Sequence, residues 1–204
     1  MNRDGKAKAM RLVVGMSGAS GAIYGLRILE VLRDAGVETH LVMSDSAKRT
    51  IVYETDRTID DVKQLASHVH DLNDVGACIS SGSFRHDGMV IAPCSIKTLS
   101  ALAHSFNTNL LIRAADVTLK ERRKLVLMVR ETPLHLGHLR LMTQVTETGA
   151  VVLPPLPAFY HRPKTLDDII DQSVNKALDQ LGVEAELFQR WSGNEERDHA
   201  RSRR

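Results

Sequence analysis

Gly15, Gly18 and Gly21 recur every third residue in the stretch RLVVGMSGASGAIYG, with Ser17 and Ser20 between them. An apolar run leads into this loop and a helical pattern leads out of it, the local order that cradles a phosphate. Glycine lets backbone approach a ligand closely and adopt positive φ, and the amides of a helix start carry a partial positive charge. Ser17 and Ser20 add hydroxyl donors. The spacing is G-x-x-G-x-x-G and not the dinucleotide pattern G-x-G-x-x-G. A plain helix start with no ligand satisfies it equally well.

A second group of chemical residues follows the apolar run KLVLMV at 124–129, which leads directly into Arg130-Glu131-Thr132-Pro133. A buried strand ending in a cation and an acid places both charges at one edge of a sheet, and a mutual ion pair is the competing reading. Upstream lie Arg113 and the run Lys120-Glu121-Arg122-Arg123. Such a run also suits a solvated helix end, where cations complement the dipole. Ser44, Asp45 and Ser46 follow another apolar run. Asp45 could hold a ribose in a dinucleotide enzyme, but a helix-capping role is favoured. In APCSIKTLS, Ser95 and Thr98 suit a capped helix start. Tyr160, in the Pro-rich segment PPLPAFYHRP, offers a phenol and a flat apolar face. Trp191, the only tryptophan, is expected to anchor the chain against a surface.

Metal chemistry is not indicated by spacing. The nine histidines show no ligand pattern on one clear face; His135 and His138 are three apart but lack an acidic third ligand. Cys78 and Cys94 stand alone and read as reduced thiols. No Walker A loop or nucleophile elbow is present.

The elements that must position these residues follow from hydrophobic periodicity. Strands are expected at 12–16, 39–43, 88–93, 124–129 and 150–154. Helices are expected over about 21–34, 46–54, 59–69, 95–104, 108–122, 133–149 and 165–181. Continuous apolar strands alternating with helices argue for a parallel sheet covered on both faces. Ligands in such folds sit beyond the carboxyl ends of the strands, where strand order reverses, and the loops that begin at Ser17, Ser44, Pro93, Arg130 and Pro154, which carry most of the residues singled out above, follow such ends. The chain of 204 residues, 43% hydrophobic and 25% charged with net charge +2, describes one ordinary globular domain. That charge is too small to imply nucleic acid. No apolar run is long enough to span a membrane, and the basic N-terminus has no apolar region of the secretory kind behind it. Residues 1–10 and 193–204 read as charged, disordered tails flanking a single domain over 11–192.

With these residues in view, the chain resembles the UbiX flavin prenyltransferases, and its runs SGSF, RAADVTLKERR and PPLPAFYHRP resemble the decarboxylase-associated branch of that family. The matching stretches are MSGASGAIYG, YETD, APCSIKTLS, NLLIRAADVTLKERRKLVL, RETPL, GAVVLPPLPAFYHRP and the final RW. The resemblance implies an α/β, Rossmann/flavodoxin-like three-layer fold with a mainly parallel sheet flanked by helices. It implies a cytoplasmic enzyme that joins a dimethylallyl group from dimethylallyl phosphate to N5 and C6 of reduced FMN without a metal. The product, prenylated FMN, serves a UbiD-type aromatic acid decarboxylase. The family's subunits form homododecamers with sites at subunit interfaces. By resemblance, Gly18, Ala19, Ser20, Ser44, Ser95, Thr98 and Arg113 contact FMN. Lys120, Arg130 and Tyr160 hold the prenyl phosphate, and Ser20, Glu54 and Glu131 act in catalysis. Lys176 stands where the family often has Arg, a point charge in place of a bidentate fork. Two rival readings are a flavin-dependent cysteine decarboxylase, whose PASANT-like motif is missing from APCSIKTLS, and a non-catalytic FMN-binding subunit of a decarboxylase.

Overall fold

The computed structural model describes residues 10–191. The two expected tails lie outside those residues, apart from Met10. Six parallel strands form one sheet in the order β3-β2-β1-β4-β5-β6. In chain order they are β1 (Arg11–Met16), β2 (Glu38–Met43), β3 (His68–His70), β4 (Gly88–Cys94), β5 (Lys124–Val129) and β6 (Val151–Val152). The helices are α1 (Ala22–Asp34), α2 (Asp45–Glu54), α3 (Ile59–Gln64), α4 (Ile96–Ala103), α5 (Leu110–Lys120), α6 (Leu136–Glu147) and α7 (Leu166–Gln180).

The apolar runs became strands because both sheet faces are covered. One face packs Leu12, Val14, Met16, Leu41, Val90, Val126 and Met128 against α1, α2 and α7. The other packs Val13, Val42, Met89, Ile91, Leu125 and Leu127 against α4, α5 and α6. All of β4 is buried, and each of its larger apolar side chains, Met89, Val90 and Ile91, contributes roughly 1.5–3 kcal/mol relative to exposure. β1 sits beside both β2 and β4, with Gly15 level with Val42 and Ile91. Strand order therefore reverses between β1 and β4, and the crevice beyond their carboxyl ends is where such folds bind ligands.

Local chemistry sets the helix starts. Ser44 accepts from the Ala47 amide, Ser95 from Thr98, Asn109 from Ile112 and Thr165 from Asp168. Ser44, and not Asp45, is therefore the cap of α2, and Asp45 pairs with Lys48 in its first turn. Three expectations need correction. The region 59–69 is not one helix: α3 ends at Gln64 and His68–His70 forms a sixth strand at the sheet edge. A three-residue strand with only one apolar residue carries no strand signal in sequence. α6 starts at Leu136 and not at Pro133, because the His135 ring accepts from the Gly137 amide and caps it there. The fifth expected strand shrinks to Val151–Val152.

Candidate active site

Three loops and one helix end meet at the carboxyl edge over the β1/β4 crevice. Ser17 is buried at the end of β1 and locks two of the loops together. Its hydroxyl donates to the Pro93 carbonyl at 3.0 Å and accepts from the Ser95 amide at 2.8 Å. The Arg130 amide then donates to the Cys94 carbonyl at 3.0 Å, tying the β5 end to the β4 end. Gly18 packs under the first turn of α2, where a Cβ would collide with Ser46. Gly21 has φ +99° and precedes α1, a conformation glycine adopts without steric cost.

Glu54 closes this arrangement. It is the last residue of α2, yet its Oε2 accepts from the Gly21 and Ala22 amides at 2.8 and 3.0 Å. α2 thus lies across the carboxyl edge, and its terminal carboxylate sits on the positive start of α1. Burial opposes ionisation of Glu54. Hydrogen bonds from the Ser20 hydroxyl and the Ala22 and Gly21 amides, with the charge of Arg130, outweigh it and hold the carboxyl below its ordinary range. Ser20, Glu54 and Arg130 therefore belong to one electrostatic group. Tyr24 joins it: burial raises its phenol above the usual value, against the opposing influence of Arg130. Sequence reasoning missed Tyr24, although an aromatic in the first turn after a glycine loop is a usable signal. Glu54 also carried one, since an acid at a helix C-terminus opposes the dipole.

The remaining expected residues divide by position. Ser44 and Ser95 sit at the starts of α2 and α4 on the same edge, and Thr98 accepts from the Ser95 hydroxyl at 3.2 Å. Ala19 lies in the glycine loop, its amide donating to the Ser17 carbonyl at 2.9 Å. Glu131 is exposed next to Arg130; its Oε1 accepts from the Thr132 amide, and among the described residues no ion pair joins Arg130 to Glu131. The expected alternative of a mutual salt bridge is thus not what the structure contains. Arg113, in the first turn of α5, gives its Nε to the Ser80 carbonyl at 3.2 Å and faces Asp116. Tyr160 makes edge contacts with His161, Phe188 and Trp191, so Trp191 is seated on this aromatic cluster.

Two cations lie elsewhere in the chain. Lys120 ends α5 beside Glu121 and Gly82, at the amino edge of the sheet. β5 separates it from Arg130, a gap of about 20 Å. Lys176 lies ten positions into α7, which runs down from the carboxyl edge to Leu181 beside Gly88, so it sits about 15 Å below that edge. One chain does not bring either lysine to the loops above.

The donor set fits a phosphate-bearing flavin. Ser44 and Ser95 each cap a single amide, leaving the first amides of α2 and α4 pointing at the edge. α4 has no acidic residue in its first turn, Arg130 stands nearby, and Ser20 and Thr98 add hydroxyls. This is a parallel α/β flavin-binding architecture with its site at the switch point.

The flavoprotein family description matches residues 2–177. The chain is 79% identical over 194 residues to flavin prenyltransferase UbiX of Thauera aromatica, covering 95% of this chain and 100% of that protein. A crystal structure of AnUbiX in complex with FMN and dimethylallyl pyrophosphate superposes with TM-score 0.90 at 52% identity, covering 91% and 99% of the two chains. A dodecameric FMN-dependent UbiX-like decarboxylase from Escherichia coli O157:H7 gives 0.88 at 50% identity, covering 90% and 100%. The chain belongs to the flavoproteins and, within them, to the UbiX-type flavin prenyltransferases.

Proposed function

We propose that this protein transfers the dimethylallyl group of dimethylallyl phosphate to reduced FMN, and that the residues grouped at the carboxyl edge perform the transfer. The observation that carries the reading is the meeting of Ser20, Glu54 and Arg130 on the glycine loop, with Glu131 beside them, in a chain 79% identical to a flavin prenyltransferase. Reduced FMN, when bound, supplies N5 to bond the allylic carbon as its C–O bond to phosphate breaks, and C6 for the second bond. The amides opening α2 and α4 and the Ser44, Ser95 and Thr98 hydroxyls hold its phosphate and ribityl oxygens. Arg113 reaches the same molecule from α5. Arg130 stabilises the negative charge that develops on the departing prenyl phosphate. Glu131 takes up and returns the proton that the second bond formation displaces. The Ser20–Glu54 pair orients the reacting face from the start of α1.

The phosphate clamp is completed between subunits. Lys120 stands at the opposite sheet edge from Arg130, so a neighbouring copy delivers it, and Tyr160 and Lys176 extend the clamp. Tyr53 at 85%, Leu136 at 60% and Leu139 at 46% exposure supply the apolar surface that such an assembly buries. A homododecamer, as in the related E. coli structure, is the proposed form. Among the described residues no helix is long and apolar enough to cross a membrane, and the proposed setting is the cytoplasm, where a UbiD-type decarboxylase receives the product.

Glu131→Gln tests the central assignment. The variant keeps FMN but loses about 10²-fold or more of its product formation, the usual scale of one acid–base group. Mass spectrometry of the flavin after incubation with reduced FMN and dimethylallyl phosphate reads this directly. Undiminished prenylated FMN would remove Glu131 from the chemistry.

A further inference from the structure

The β2–β3 edge of the sheet carries a cluster that prenyl transfer does not use. His40, on β2, is 3% exposed. The rings of His68 and His70, on β3, stack on it with centroids 4.6 and 5.2 Å away. His40 Nδ1 lies 2.9 Å from His70 Nε2, and His40 Nε2 lies 3.1 Å from Glu38 Oε1. One ligand atom each from His40, His70 and Cys78 fall within 4.8 Å of one another. Sequence spacing gave no hint of this, because the three residues sit on two strands and a short turn.

We propose that His40, His70 and Cys78 bind a borderline-soft divalent cation, Zn²⁺ by preference, with water in the fourth position. A thiolate with two imidazoles selects such ions over the hard cations Mg²⁺ and Ca²⁺. A tetrahedral zinc centre, with bonds of about 2.0–2.3 Å, places its ligand atoms roughly 3.3–3.6 Å apart. His40 Nδ1 and His70 Nε2 stand 2.9 Å apart, all three ligand atoms lie within 4.8 Å of one another, and Cys78 is exposed and free to adjust, so small side-chain movements reach that range. Binding displaces the Cys78 thiol proton to solvent.

The surroundings are arranged as metal sites require. Glu38 accepts from His40 Nε2 and so leaves Nδ1 as the ligand nitrogen, the carboxylate–histidine–metal relay. Arg11 holds Glu38 ionised through two hydrogen bonds of 2.8 and 2.9 Å. That double engagement makes Glu38 a positioning residue and argues against a second grouping of Glu38, His40 and His68. The role is structural. His40 lies three strand positions below Met43, about 10 Å from the carboxyl edge. A metal there pins the irregular connection over 71–87 to β2 and β3. Two residues beyond Cys78, the Ser80 carbonyl holds Arg113, so the pin steadies a flavin-contacting side chain without touching the flavin.

The experiment titrates the untagged, chelator-treated full chain with Co²⁺ and records difference spectra, with Zn²⁺ as competitor. One equivalent per chain is expected, with a thiolate-to-cobalt charge-transfer band and intense tetrahedral d–d bands that Zn²⁺ abolishes. Cys78→Ser removes the charge-transfer band, and His70→Gln weakens binding. Glu38→Gln keeps the band and lowers affinity about tenfold, as loss of an outer carboxylate does. Zn²⁺ also raises the melting temperature of the wild type and not that of Cys78→Ser. Absence of the band in the wild type, or its survival in Cys78→Ser, overturns the proposal.

Discussion

His86 shows how one buried side chain links this fold to pH. It is 4% exposed, and its Nδ1 donates to the Gly88 carbonyl at the start of β4. Burial pushes its pKa from the ordinary 6.5 down to about 4. Between those values the unfolded chain binds a proton that the folded chain refuses, so stability is full above pH 6.5 and falls as pH drops toward 4. His86→Gln removes the titrating group. Its unfolding free energy should therefore vary less steeply over that window, by up to about 1.4 kcal/mol per pH unit. Urea unfolding at pH 7 and pH 5, at one protein concentration, measures this, and an unchanged slope would assign the acid sensitivity to another group. Glu38 titrates in a lower window: hydrogen bonding to Arg11 lowers it to about 2, so its contribution is lost only as pH falls below about 4.5.

At the scale of elements, the glycine loop works because α1 can lie close to the sheet. Gly25 faces β4 so tightly that a Cβ would run into the Ala92 carbonyl oxygen and the Met16 side chain. Neither backbone can yield without disturbing the Ser17–Pro93–Ser95 lock. Gly25→Ala is therefore expected to destabilise the protein by about 1–3 kcal/mol, the scale of core overpacking, and to weaken FMN binding with it. A thermal melt and a flavin titration on the same sample read both; a stable variant with normal FMN affinity refutes the close-packing argument. The element pattern was largely legible in sequence, since buried parallel strands announce themselves as apolar runs and the serine caps mark helix starts. β3 was not legible, because an edge strand of HVH has no apolar run to show. Ile23 and Leu166 share the apolar spacing of the buried positions of α1 and α7, yet they are 39% and 71% exposed, since the stripe that meets the sheet is narrower than the apolar pattern. Within the site, Arg130 was readable from its strand and Glu54 from the resemblance and its place at a helix C-terminus, whereas the seat of Glu54 on the Gly21 and Ala22 amides needed the crossing of α2 over the start of α1, a tertiary fact no local pattern contains.

The whole molecule raises a requirement that one chain cannot meet. Arg130 and Glu131 leave β5 at its carboxyl end, and Lys120 precedes β5 at its amino end. No side chain spans the strand between them, so a clamp using both cations takes them from different copies. A head-to-tail contact of this kind closes into a symmetric ring or shell, and the exposed apolar residues of α2 and α6 give it a surface to bury. The consequence is testable with two inactive variants, Lys120→Ala and Arg130→Ala. Each alone lacks one half of every clamp. Dissociated, mixed in equal amounts and reassembled, they restore sites whose Arg130 and Lys120 both come from unsubstituted contributors. Random assortment makes that about a quarter of all sites. Prenylated FMN formation should therefore recover to about a quarter of the wild-type rate in the reassembled mixture, and not in either variant treated alone. If both cations acted from the same chain, each subunit of the mixture would supply an intact pair to no site, and activity would stay at the level of the single variants.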